Sequence, residues 1–345
     1  MTSTAATTQP PVASGYAELI REIRRLGLLR PRPVLYAFLV SANLLFLACL
    51  LTLAFVLRDS WWLVLLAPAL AVISTQIAFM GHDVAHRQVA RGRRWSTLLG
   101  LVHANLLTGL SYGWWVDKHN AHHAHPNDLE ADPDVAAGVF VFDHGQAGAR
   151  SGFAAWLTRH QAGLFFPMLL LESLNLHVAS VRALARPGIR LRAVEITLLA
   201  VHLALYVTLL LTTMTWLQAL AFVAVHQGLF GLYLGCAFAP SHKGMPSLSP
   251  EQASDPLLRQ VLTSRNIRSG PVVDVVLGGL NLQIEHHLFP SMPRPNLRRA
   301  QPVVKRFCEA RGVSYAEETA FGSYAEGLRH MHRVGADLRS GGSRL

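Results

Sequence analysis

ITLLAVHLALYVTLLLTTMTWLQALAFVAVHQGLFGLYLGCAFAPSH, residues 196–242, runs for 47 residues without an Asp, Glu, Lys or Arg. As one helix it would be ~70 Å long at about 1.5 Å per residue, over twice the ~30 Å of a bilayer's hydrocarbon core. The stretch must therefore turn back on itself. Thr212, Thr213, Met214 and Thr215 supply the break, giving helices over about 193–212 and 215–239. Further upstream, PVLYAFLVSANLLFLACLLTLAFVL (33–57) is 25 uncharged residues between Arg32 and Arg58, and 60–81 is another 22. Only Arg58 and Asp59 separate the two, and each exceeds the ~20 residues that a spanning helix needs. The expected fold is an all-α membrane protein with four transmembrane helices in two hairpins, interfacial helices, and a cytosolic helical cap formed largely by the polar chain after Pro240.

Composition points the same way. The chain is 51% hydrophobic and 15% charged, with a mean hydropathy of +0.29, whereas soluble domains carry roughly a quarter charged residues. The net charge of +10 raises the question of nucleic acid, but the basic residues flank apolar runs and form no stripe interleaved with aromatics, so no nucleic-acid partner is expected. Arg58 is the only basic residue in the first turn and the second turn has none, whereas 21–32, 87–94 and 182–192 are rich in Arg. By the positive-inside rule both hairpins open toward the cytoplasm. The opening MTSTAATTQPPVASG lacks an apolar run behind a basic start, so no cleaved signal peptide is expected and the N-terminus stays cytoplasmic. Of 31 basic residues 28 are Arg, a bias of GC-rich bacteria, which makes a bacterial cytoplasmic membrane the expected location. Cys49, Cys236 and Cys308 are too dispersed for a disulfide framework or a thiolate site, so any metal must be held by nitrogen or oxygen. The expected divisions are a cytosolic N-terminal segment 1–32, a membrane body with its cap 33–310, and a cytosolic tail 311–345, Gly/Ser-rich at 340–343.

Seven of the 17 histidines fall into three groups: GHDVAH (81–86), HNAHH (119–123) and QIEHH (283–287). His82 and His86 are spaced i, i+4, and His119, His122 and His123 are i, i+3, i+4, so on helices each group turns its rings to one side. The third group repeats that pattern with Gln283 in first place, followed by His286 and His287. Neutral imidazole suits iron, zinc, copper and nickel, and seven rings with an amide exceed the needs of one octahedral ion, so two metals are implied. Ionisable rings clustered at a membrane border are expensive unless partnered. Solitary histidines at 103, 144, 160, 177, 202, 330 and 332 read as packed or solvated. His125 reads as an outer neighbour of the ligands, and Asp83 and Glu285 as acceptors for the second ring N–H of a ligand.

A shared site also decides a segment that hydropathy leaves open. Residues 95–116 carry no formal charge for 22 residues, but a crossing there would part the first two clusters by some 30 Å, and ligand bonds are ~2 Å. The segment must dip in and return, or lie along the interface. Residues 163–181, broken by Pro167, Glu172, Asn175 and His177, read as an interfacial helix.

In order and spacing, HDVAH, HNAHH and QIEHH resemble the three histidine boxes of the membrane-bound fatty acid desaturases, over about residues 35–310. QIEHHLFP is similar to the front-end group, which places a double bond between an existing one and the carboxyl end, and to certain bacterial acyl-CoA desaturases. The resemblance implies a di-iron centre that uses O2, reduced to water, and two electrons from an external carrier to remove two hydrogens from an acyl chain. It implies His82, His86, His119, His122, His123, His286 and His287 as ligands, with Gln283 in a position where many relatives have His. It adds His242, in FAPSHKGMP beyond the fourth membrane helix, where Ser241 stands in place of the family's frequent Asn. Trp114, Trp115 and Lys118 become candidates for headgroup or tunnel-mouth contacts, and His226 for the acyl tunnel.

No HPGG haem motif occurs and about 32 residues precede the first span, so no fused cytochrome b5 is expected. A ferredoxin or a flavin reductase is the expected donor, drawn to the Arg-rich face. The acyl substrate would be carried on CoA, a carrier protein or a phospholipid. The competing readings are a hydroxylase or ketolase acting on a lipid, carotenoid or alkane, and a non-enzymatic histidine-rich membrane receptor.

Overall fold

Pro33 opens the first long helix, Pro33–Val56, at a position where its missing N–H leaves no bond unmade. Ser60 then accepts the Trp62 N–H and starts a short tight turn, Trp61–Leu65, which runs into Leu66–Ala85. The second hairpin is Arg192–Thr213 and Trp216–Phe238, and its return is fixed by a capping box in which Thr215 and Gln218 satisfy each other's backbone. These four are long and apolar enough to cross a membrane. The computed structural model describes residues 15–339; the reading of the extreme N-terminus and the Gly/Ser-rich stretch at 340–343 lie outside the described residues.

The two turns meet. The Asp59 N–H donates to the Thr213 carbonyl (2.9 Å) and the Gln218 amide donates to the Asp59 carbonyl (3.0 Å), so both hairpins close at one end and open at the other. Phe79, Met80, Phe222 and Phe230 are buried on the second and fourth spans, while Phe38, Leu45 and Phe55 on the first and Leu203 and Leu211 on the third are exposed. Such an apolar exterior is what lipid solvates, and the chain is an all-α membrane protein.

Residues 95–116 do not cross. Arg93–Gly100 continues as a wide π-type stretch, Leu101–Thr108, reverses at Gly109 (φ 70°), and re-enters a helix at Tyr112–Ala124. The returning helix packs so closely that a Cβ at Gly100 would lie 2.2 Å from the Tyr112 ring. Irregular backbone at such depth needs internal partners. Glu195, 2% exposed, accepts the Ser111 hydroxyl (2.7 Å), the Asn105 amide (3.1 Å) and the Gly113 N–H (3.1 Å). His177 Nδ1–H donates to the Gly109 carbonyl and His202 Nδ1–H to that of Leu106, both at 2.9 Å. Two histidines that read as solitary thus hold the reversal in place. Residues 163–181 fall in two helices, Gly152–Leu169 and Glu172–Ala185, bent by 85° where they meet.

The cap buries Leu19 and Ile23 of helix Tyr16–Arg25 against Leu257, Val261, Ile284, Leu288 and Val304. Helix Ala320–Val334 lies along Gly152–Leu169, with the Gln161 amide donating to the Met331 carbonyl (3.0 Å). The strand content among the described residues is one parallel pair of two-residue strands, Asn266–Ile267 and Glu317–Glu318.

Candidate metal centre

Four segments deliver the expected ligand set. His82 sits in the last turn of the second span and His86 caps it, while Tyr112–Ala124 carries His119, His122 and His123. His242 follows the fourth span, and Gln283–Leu288 brings Gln283, His286 and His287, all buried. Together they form two adjacent nests. In the first, ring nitrogens of His82, His86, His119, His123 and His286 lie within 4.8 Å of one another; in the second, those of His122, His242 and His287 do. The rings of His123 and His287 stack between the nests with centroids 4.2 Å apart.

The contacts inside the nests are nitrogen to nitrogen. His86 Nε2 is 2.9 Å from His119 Nε2, which is 3.1 Å from His123 Nε2, which is 3.2 Å from His286 Nε2. Neutral imidazole has one donor and one acceptor nitrogen, so these converging atoms cannot all be satisfied by each other. Two nitrogens bound cis at ~2.1 Å to one octahedral ion would be about 3.0 Å apart. His82 Nε2, His287 Nε2 and Gln283 Oε1 are buried with no hydrogen-bond partner, and the Gln283 amide nitrogen is 2.9 Å from His242 Nε2. Burial and neighbouring rings hold His86, His119, His123, His286 and His287 well below the usual imidazole range, and burial with His122 lowers His242 to about 3. These are lone pairs ready for a cation, and two transition ions fit the donor set.

Their orientation is set from outside. His122 Nδ1 pairs with Asp132 (2.9 Å), His242 Nδ1 with the Thr263 carbonyl (3.0 Å) and His287 Nδ1 with Gln260 (2.9 Å), leaving each Nε2 facing inward. The Gln260 amide also donates to the His123 carbonyl (2.9 Å), bracing second and third boxes together. Asp83 lies 3.3 Å from His82 Nδ1 and ion-pairs with Arg294. None of Asp132, Gln260, Thr263 or Arg294 carries a sequence signal, because each meets its partner only through the tertiary fold.

Other expected positions fall as follows. Glu285 is buried but bonds to Tyr315 and Asn266 (2.7 Å each) rather than to a histidine ligand. Burial pushes its carboxyl up to about 7, against the lowering effect of those two hydrogen bonds. His125 is exposed beyond the helix end, where its backbone N–H, not its ring, meets the Ala121 and His122 carbonyls. Trp115 stacks on His119 with centroids 4.4 Å apart, and Trp114 is half-buried beside it. Lys118 is bound to Asp134, which also lies 3.6 Å from His122 Nδ1. His226 is remote from the nests, held by the Ser74 hydroxyl (3.2 Å) and the Tyr206 hydroxyl (2.9 Å) in the interior of the spans.

A membrane body with two histidine nests at its open end defines a class, and comparison with known proteins agrees. The profile of the fatty acid desaturase family matches residues 59–319, most of the chain. The chain belongs to the fatty acid desaturase family. It is 26% identical over 346 residues to a Delta(8)-fatty-acid desaturase of Helianthus annuus, covering 95% of this chain and 74% of that protein. It is 27% identical to a Delta(6)-fatty-acid desaturase of Caenorhabditis elegans (95% and 76% covered) and 29% identical to an acyl-lipid (9-3)-desaturase of Borago officinalis (88% and 71%).

Proposed function

We propose that the protein is an O2-dependent di-iron desaturase that introduces a double bond into a fatty acyl chain carried on CoA, a carrier protein or a lipid. Electrons come from a separate ferredoxin-type or flavin donor, and the site works at the cytoplasmic face. The observation that carries this reading is the pair of adjacent nests built from inward-facing imidazoles. His82, His86, His119, His123 and His286 would hold one iron, and His122, His242 and His287 with Gln283 the other. Bound there, the iron pair supplies an oxidant strong enough to take two hydrogens from an unactivated methylene.

The protein's part is placement and exclusion. His82 ends a membrane helix, so an acyl chain reaches the site from the apolar side while a charged headgroup stays among the basic residues of the cap. Trp115 covers one face of His119 and keeps bulk water from that ring. Asp132, Gln260 and Thr263 fix the orientation of three rings at Nδ1, which holds their Nε2 atoms in register. The QIEHH box, and relatives named for Delta(5), Delta(6) and Delta(8) activity, support insertion toward the carboxyl end of the chain.

The test is expression, with a reducing partner, in a host that lacks such products, followed by gas chromatography and mass spectrometry of its fatty acids. New species two mass units lighter, absent with His286→Ala, are expected. Species sixteen units heavier would assign hydroxylation instead, and an unchanged profile with a working donor would end the desaturase reading.

A further inference from the structure

Gln76 is out of place. It lies one turn beyond Val72 on an outward stripe of the second span, and Val72 is exposed to the lipid side. An amide in that position is expensive unless something comes to meet it. What meets it is a cap segment. The Gln76 amide donates to the Val275 carbonyl (3.2 Å) and to the Tyr233 hydroxyl (3.1 Å), and that hydroxyl donates to the Val276 carbonyl (2.6 Å). The carbonyls ending the short helix Pro271–Val276 are therefore satisfied by side chains of the second and fourth spans.

Depth follows from counting. If Trp62 marks the far interface, ~20 residues of about 1.5 Å each carry the hydrocarbon to near residue 82, which puts Gln76 roughly 9 Å inside it. The same count from Trp216 puts Tyr233 about 5 Å inside. The short helix is also sided. Val272, Val275 and Val276 are 73%, 66% and 44% exposed. Asp274 turns the other way, accepting from the Ser269 hydroxyl (2.6 Å), the Gly270 N–H (3.2 Å) and the Asn281 amide (2.8 Å). Behind it, Gly278 (φ 60°) lies so close to Phe79 that a Cβ would be 2.5 Å from the ring. Phe79 in turn packs on Phe238, which packs on His82, with centroids 6.3 and 6.2 Å apart.

We infer that residues 271–279 form a membrane-inserted strap: it crosses the seam between the second and fourth spans below the border, and its valine face contacts lipid acyl chains. The occupant is hydrocarbon because the valine face continues the lipid-facing surface of the spans and because every backbone acceptor named above already has a protein donor, as a dry environment requires. The strap leads into Gln283, so the third histidine box is tethered to the bilayer as well as to the cap.

The experiment uses the full chain in lipid nanodiscs, in a Cys49→Ser, Cys236→Ser background, with an environment-sensitive fluorophore on Val272→Cys, Val275→Cys or, as the aqueous control, Arg306→Cys. At 272 and 275 the emission is expected to be blue-shifted, quenched by lipids bearing a nitroxide on the upper acyl chain, and insensitive to iodide; the control reverses this pattern. Adding Gln76→Leu is expected to move the 275 label toward iodide. Iodide quenching at 272 and 275 as at the control would overturn the inference, as would shielding from both quenchers, the mark of a protein partner. A 275 signal unmoved by Gln76→Leu would overturn the anchoring role of that amide. The readout needs neither metal nor turnover, so it stands apart from the desaturase assignment.

Discussion

Asp132 and Gln260 show what single residues do at this centre. Each accepts a hydrogen bond from a ring Nδ1–H, of His122 and of His287, and so commits Nε2 to the nest. Asp132→Ala frees His122 to adopt the other tautomer, and loss of such a partner typically costs about 10- to 100-fold in metal affinity. Iron retained during dialysis against a graded chelator measures this, and wild-type retention would show that the carboxylate does not set the tautomer. Gln260→Leu is expected to act in the same direction while also leaving the His123 carbonyl without its donor. That the box histidines turn to one side was legible because i, i+3 and i+4 spacing is a local property of a helix. Their partners were not. Gln260 lies 137 positions from His123, and Asp132 is one of four acids between 128 and 134 that no spacing rule ranks. Glu285, adjacent to His286, was the natural guess for such a partner, yet successive helical residues point about 100° apart, and the turn that aims His286 inward aims Glu285 at Tyr315.

At the scale of elements, the reversal through residues 95–116 decides where the second box sits. Hydropathy alone balanced a crossing against a return, and only the demand that three boxes share one site tipped it. The π-type stretch Leu101–Thr108 has no sequence rule behind it, and the polar clamp on it and its reversal comes from residues 68 to 96 positions away. Glu195→Leu removes the acceptor of the Gly113 N–H and of the Ser111 hydroxyl, and a buried group left unpaired costs about 1–3 kcal/mol. A lower melting temperature in detergent is expected, with Glu195→Gln, which keeps a carbonyl oxygen, recovering part of it. Equal melting of Glu195→Leu and wild type would remove the clamp. The hairpins, by contrast, were readable almost to the residue, because a run of uncharged residues longer than a bilayer is thick leaves one solution: expected breaks near 58 and 213 correspond to helices ending at Val56 and Thr213.

For the whole molecule, the joined turns at Asp59, Thr213 and Gln218 set one end against the histidine nests at the other. With the native accessible cysteines replaced, a membrane-impermeant maleimide is expected to label Arg58→Cys from one side of sealed vesicles and Arg306→Cys only from the other. Labelling of both from one side would undo the topology. Acid should also reveal the nests. Rings that burial keeps neutral in the fold bind protons once unfolded, so the stability of metal-free protein is fully present above ~6.5 and falls as the pH drops below that value. Melting of the stripped protein at pH 5 is expected well below that at pH 7.5, and identical curves would mean that the rings are not buried neutral. Reloading iron should raise the melting temperature, because a ligand that binds only the folded state stabilises it. The same geometry carries a message about synthesis. Ligands are collected from position 82 to position 287, so a ribosome that has threaded both hairpins into the bilayer has still delivered only an unfinished cradle. Under the proposed di-iron reading, closure of the site is thereby ordered after translation of the third box, and a chain stalled before it would display the first two boxes with nothing to close over them.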